Sequence, residues 1–152
     1  MKITGDWLAG FIDGEGSFNI SRHAGNYQPR FSVKLRDDDS QIIIDIHEFL
    51  GEGTVRKTKT CPTTSKYYTP NVRGQFRLDV IGADNVKLVY ILDQFPLRTK
   101  KLRDYIIWKE AVEIYSKSLF NRWSDSSLKK IRNDKLSALK IELENARRYC
   151  EV

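Results

Sequence analysis

Cysteine is nearly absent from this chain, and its scarcity removes several classes of protein at once. The two cysteines, Cys61 in a loop-like stretch and Cys150 near the end, form no disulfide framework and no metal-ligand spacing, which favours a reducing compartment. The two histidines, His23 and His47, stand far apart without partners at ligand spacing, so no zinc site is expected. Long hydrophobic runs are missing as well. The longest aliphatic stretch, Ile42-Ile43-Ile44, is far too short to span a bilayer, and Met1 to Asp6 carries no apolar signal core, so neither membrane association nor secretion is expected. Low-complexity segments and a second copy of any long motif are also lacking.

What remains is a soluble globular composition. The 152 residues are 40% hydrophobic and 30% charged, enough for one domain over 1–152 with a real core. A net charge of +6 favours a polyanionic partner, because neutralising phosphates releases counterions from nucleic acid.

The hydrophobic period changes along the chain. Trp7, Leu8, Phe11 and Ile12 mark a first helix that ends near Gly14 and Gly16. From Ser17 to Arg22 and from Gln28 to Arg36 the period is two, with Ala24-Gly25-Asn26 as the predicted turn. Ile42, Ile43, Ile46, Phe49 and Leu50 give a second helix, opened by Asp37-Asp38-Asp39, read as a cap rather than a metal cluster, and closed by Gly51. Thr54 to Thr60 and Val72 to Ile81 alternate again around a polar loop, and Asp84 opens a third helix that Pro96 stops. Lys101 to Tyr115 and Leu128 to Tyr149 are helical by period, with Tyr105, Trp108 and Tyr115 assigned to the core. The order predicts an α+β fold: a four-stranded antiparallel sheet with helices packed on one face in a core of residues 1–100, then C-terminal covering helices over 101–152.

Alternation sorts the strands into two faces. Phe18, Ile20, Phe31, Val33, Leu35, Val55, Phe76, Leu78 and Val80 fall on one side. The other side collects Asn19, Ser21, His23, Arg30, Ser32, Lys34, Arg36, Arg56, Thr58, Arg73, Gln75 and Arg77, donors and acceptors suited to base edges and phosphates in a major groove. Asp79 is the exception among them.

One motif carries chemistry. Leu8-Ala9-Gly10-Phe11-Ile12-Asp13-Gly14-Glu15-Gly16, followed by Ser17-Phe18, closely resembles the LAGLIDADG signature of homing endonucleases, here in a Gly-Glu-Gly form, and the element order extends the similarity over about two-thirds of the chain. Gly10 and Gly14 lie four apart on one helix face, where a partner helix can approach closely. The resemblance implies a homodimer paired through Leu8, Ala9, Gly10, Ile12, Asp13 and Gly14. It implies double-stranded DNA as substrate, a long near-palindromic target, and cleavage across the minor groove leaving 3′ overhangs, in the service of intron homing.

Resemblance also assigns Glu15 as the ligand for Mg²⁺, with Mn²⁺ as a substitute and Ca²⁺ supporting binding without cleavage, and the carbonyl of the adjacent Gly16 offers a second oxygen. Two carboxylates converging at a dyad suit such a hard, oxygen-seeking ion. Phe95-Pro96-Leu97-Arg98-Thr99-Lys100 resembles the segment that brings a lysine near the scissile phosphate, which nominates Lys100 for catalysis with Arg98 behind it. Asp13 is read as structural. Where many relatives carry a polar, water-holding side chain at the end of the second strand, an ungapped reading finds Leu35. The family setting implies an intracellular location, in an organelle or a prokaryotic cytoplasm. Two alternatives share the fold: an intron RNA maturase, with intron RNA as partner, and a non-cleaving DNA-binding regulator, against which the retained Glu15 argues.

Overall fold

The computed structural model describes residues 2–58, 66, 74–120 and 126–148, with only the backbone for residues 119 and 120. Helix α1 (Gly5–Glu15) leads into strands β1 (Ser17–His23) and β2 (Asn26–Arg36). Helix α2 (Ser40–Leu50), strands β3 (Thr54–Thr58) and β4 (Gln75–Ile81), and helices α3 (Val86–Gln94), α4 (Lys101–Phe120) and α5 (Ser126–Arg147) follow. The strands form one antiparallel sheet in the order β1-β2-β4-β3.

The alternation seen in the sequence becomes two faces. Phe18, Ile20, Phe31, Val33, Leu78 and Val80 are buried on one side together with Ile43 and Ile46 of α2, Leu88 and Leu92 of α3, Trp108 of α4 and Leu136, Leu139 and Leu143 of α5. Phe18 anchors this layer, with its ring 4.8 Å from Trp108 and 5.6 Å from both Phe31 and Tyr105. Truncating a buried aromatic of this kind typically costs about 3–5 kcal/mol, so β1, β2 and α4 are locked together by one side chain. The assignment of Tyr105 and Trp108 to the core agrees with their burial. Among the described residues no helix is long and apolar enough to cross a membrane.

Several details differ from the sequence-based expectation. The β1–β2 turn has two residues rather than three: Ala24 and Gly25 both take positive φ, 48° and 79°, and Asn26 already pairs with His23. That is the primed turn whose twist matches the strands it joins. Helix α1 ends at Glu15 with Gly16 as its C-cap, as expected, but Asp84 opens no α-helix and lies in a 3-10 turn over Gly82–Asn85. Fully buried Asn85 pins that turn, its Nδ2 donating to the carbonyls of Pro29, Val80 and Gly82 at 3.3, 3.2 and 3.0 Å. Asp37–Asp39 also form a 3-10 turn, and Asp39 makes no side-chain cap on α2, while Gly51 closes α2 in the left-handed conformation as expected. Residues 59–65 and 67–73 lie outside the described residues, and with them Arg73 and most of the loop from Cys61 to Pro70.

Candidate active site and nucleic-acid interface

The site begins where α1 ends. Leu8, Ala9 and Ile12 are buried in the subunit's own core, at 0%, 5% and 0% exposure, because α1 needs an apolar face to dock on the sheet. Leu8 and Ile12 thus face the subunit's own sheet, while Ala9 also lines the groove beside Gly10. Gly10 and Gly14 lie on the opposite, exposed side, and a Cβ built on either meets nothing within 4 Å. Trp7 and Phe11 flank this strip, stacked with centroids 5.1 Å apart and only partly buried.

The turn from α1 into β1 is very tight. A Cβ on Gly16 would come within 2.7 Å of Ile12 Cγ2 and 2.9 Å of the Ile12 carbonyl oxygen, so no side chain fits there. Gly16 N–H and Lys101 Nζ both donate to the Ile12 carbonyl at 2.9 Å, and Lys101 Nζ also donates to that of Gly14 at 3.2 Å. Lys101 therefore places a cation on the negative end of α1. Burial pushes its ammonium below the ordinary lysine value, and the charges of Asp13, Glu15 and Asp104 pull it partly back. Sequence reasoning nominated Lys100, which instead lines a groove of about 710 Å³ with Leu102, Ile106 and Glu142 of α4 and α5. Lys101 was missed, since the direction of a side chain at a helix start depends on where the helix axis lies.

Asp13 organises the same corner from within the subunit. Its carboxylate accepts the Arg98 N–H at 2.8 Å, the Thr99 N–H at 3.3 Å and the Thr99 hydroxyl at 2.7 Å. Burial alone would raise its pKa, but these hydrogen bonds and the Lys101 charge outweigh that and hold it below the ordinary value. The Arg98 segment lies beside the exposed side of α1, lining a groove of about 370 Å³ with Gly10, Asp13 and Phe95.

Glu15, the exposed last residue of α1, opens onto a cleft of about 300 Å³ whose other walls are Ser17, Ser32, Lys34 and Arg77. Among the described residues its carboxylate makes no hydrogen bond or ion pair, and the field of Lys101 reaches it. The strand register explains the cationic wall: Lys34 on β2, Arg77 on β4 and Arg56 on β3 are direct neighbours across three strands. The next level toward β1 holds Ser17, Ser32, Asp79 and Thr54, with Ser32 and Asp79 buried at 8% and 4% exposure.

The remaining face residues are not equivalent. Arg30 and Arg77 both bond Asp79, whereas Arg36 pairs with Asp38 at 2.8 Å. Thr58 donates its hydroxyl to the Gln75 carbonyl at 2.8 Å, and Asn19 Oδ1 accepts a long bond from Arg147 Nη1 at 3.4 Å. Ser21 is half-buried, and His23 is exposed at the hairpin end. Leu35 points to the apolar side opposite Phe76, which leaves the polar positions near the cleft to Ser17, Ser32 and Gln75.

Residues 8–112 match the family model of the LAGLIDADG endonucleases. The chain belongs to that family. The match runs from the motif through the sheet and into α4, so it spans both walls of the Glu15 cleft. A Schizosaccharomyces pombe protein described as "Probable intron-encoded endonuclease Cox1-I1b" is 30% identical over 96% of this chain, which spans 35% of that protein. The LAGLIDADG meganuclease I-AabMI, solved bound to uncleaved DNA, superposes with a TM-score of 0.70 at 25% identity, over 94% of this chain and 45% of its own. The homing endonuclease I-TnaI shares the fold with a TM-score of 0.71 at 22% identity, over 96% of this chain and 97% of its own. This LAGLIDADG chain therefore spans about a third of its intron-encoded relative, under half of I-AabMI and nearly all of I-TnaI.

Proposed function

We propose that this chain is one subunit of a site-specific homing endonuclease that acts as a homodimer, grips a long near-palindromic duplex with two basic sheets, and hydrolyses both strands across the minor groove to leave 3′ overhangs. The observation that carries this reading is the position of Glu15. Its carboxylate stands between the open Gly10 and Gly14 strip and the cationic cleft of Lys34 and Arg77, so pairing two copies through that strip would bring two carboxylates and two phosphate-binding walls together. The DNA bound to I-AabMI supports duplex DNA as the ligand.

Mg²⁺ fits the donors on the α1 end. Glu15 and the Gly16 carbonyl offer hard oxygen ligands, yet among the described residues no three acidic, histidine or cysteine side chains are grouped so that they could hold a metal ion, so the ligand set of one subunit is incomplete. A second copy would complete the set, with Mn²⁺ as a substitute and Ca²⁺ allowing binding alone. The bound ion would supply Lewis-acid stabilisation of the charge that develops on the phosphate. The chain's own residues do the rest: Lys34 seats the phosphate, Ser17 and Ser32 offer hydroxyl donors, and Lys101 fixes the helix end that carries Glu15. Arg98 and Lys100 stand at the edge of this machinery. The intron-encoded relative supports intron homing, and a Saccharomyces cerevisiae relative described as mitochondrial supports an organelle as the place of action.

A plasmid carrying a candidate intron-insertion site tests this reading. Linearisation in Mg²⁺, none in EDTA, is the expected result. Binding of intron RNA with no cutting under any divalent ion would favour the maturase alternative and contradict the proposal.

A further inference from the structure

Asp79 is the only carboxylate on the polar face of the described strands, and it is among the least exposed residues there. An ionised carboxylate in that position is unfavourable unless paired. Its pairing is specific. A single oxygen, Oδ1, accepts Arg30 Nε at 2.9 Å and Arg30 Nη2 at 2.8 Å from β2, and Arg77 Nε at 2.9 Å from its own strand. Arg77 is thus held through its inner nitrogen, while its side chain lines the Glu15 cleft. The two arginine side chains retain 28% and 38% exposure, against 4% for Asp79, so the carboxylate lies beneath them.

We propose that Asp79 is a positioning residue for sequence discrimination: holding Arg30 and Arg77 on one oxygen sets the plane and reach of both guanidinium groups before DNA arrives. The inference rests on the reading of this sheet as the DNA-binding face. A free arginine is a long, mobile cation that satisfies any nearby phosphate, whereas a fixed fork matches a paired acceptor such as the O6 and N7 edge of guanine. Ordering the side chain in advance also removes an entropic cost from binding. Asp79 therefore trades one unit of attraction for the polyanion against geometric choice, and the two effects separate on mutation.

The test uses the full chain in Ca²⁺, with a partly randomised duplex pool to measure preference and one arbitrary duplex to measure sequence-independent affinity across a KCl series. Asp79→Asn should lower discrimination between enriched and arbitrary duplexes by about tenfold or more. It should leave affinity for the arbitrary duplex equal or raise it a few-fold, with a salt slope steeper by up to about one unit. Arg77→Lys tests the same idea at a more exposed position should Asp79→Asn fail to fold: it keeps the charge, loses the fork, and should lose discrimination in the same way. Unchanged discrimination in either folded variant overturns the inference. A parallel loss on enriched and arbitrary duplexes also overturns it, because that marks a structural role. Failure of the sheet reading looks different: the wild type would enrich no sequence, and Lys34→Ala would leave binding to every duplex unchanged.

Discussion

Lys34 on β2 lies directly across from Arg77 on β4, two like charges placed side by side on one face of the sheet. Arg56 on β3 extends the row on the far side of Arg77. Like charges directly opposite destabilise an antiparallel pair by roughly 0.2–1 kcal/mol, and the Asp79 carboxylate on Arg77 offsets this repulsion only in part, because it is shared with Arg30.

Replacing one end of that row should therefore move stability and binding in opposite directions. Lys34→Ala or Arg56→Ala is expected to raise the thermal midpoint of the DNA-free protein slightly, by a few degrees at most. Each should weaken duplex binding and flatten the salt slope by about one unit. A melt and an anisotropy titration across KCl on each variant check this. Unchanged affinity and slope would remove the row from the DNA interface.

Gly10 separates folding from assembly. A side chain there meets open space within the subunit, and a mid-helix glycine costs about 0.8–1 kcal/mol relative to alanine. Gly10→Leu should fold at least as well as the wild type, yet hold two α1 helices apart. Sedimentation should show twice the chain mass for the wild type and the single chain mass for the variant. A Gly10→Leu dimer as tight as the wild type would place the subunit contact elsewhere.

Asp13 predicts an acid dependence with a definite sign. Its folded pKa lies below the ordinary carboxylate value of 3.8, so its contribution is fully present above about pH 4 and is lost as pH falls through the lowered folded value. Asp13→Asn should cost about 1 kcal/mol at pH 7 through weakened bonds to Arg98 and Thr99, and the gap from wild type should shrink as the pH is lowered below 4. Urea melts at pH 7 and pH 3 measure it. A gap that stays constant or widens in acid would show that the Asp13 charge does not hold this corner.

Much of the architecture was legible because strand parity is a strict rule. Once Phe31, Val33 and Leu35 are placed inside, Arg30, Ser32, Lys34 and Arg36 must face out. The same rule explains Leu35, which follows the apolar side rather than the cleft. Helix α1 shows where periodicity stops being informative. Gly10 and Gly14 stood out as a close-packing strip, but Leu8, Ala9 and Ile12 were assigned to the same contact, since an apolar residue on a helix reads alike whether its partner is the subunit's own sheet or another chain. Asp79 was visible as an exception on a basic face, while its bonds to Arg30 depend on a register that joins residues 49 positions apart. Lys100 lies in the turn before α4 and Lys101 is the helix's first residue, so no periodicity relates their directions, and only the three-dimensional placement of this corner decides which of the two reaches the Ile12 carbonyl.

Glu15→Gln tests the central claim most directly. The change keeps the volume of the side chain and removes the charge proposed to hold the metal, at a residue that makes no hydrogen bond or ion pair among the described residues. The account predicts a thermal midpoint within a few degrees of wild type, because Lys101 already offsets the helix dipole, and duplex affinity in Ca²⁺ within about threefold. Single-turnover cleavage in Mg²⁺ should fall by several orders of magnitude, since both the attacking water and the leaving oxygen depend on the ion. Near-normal cleavage by Glu15→Gln would contradict the account and remove Glu15 from the active site.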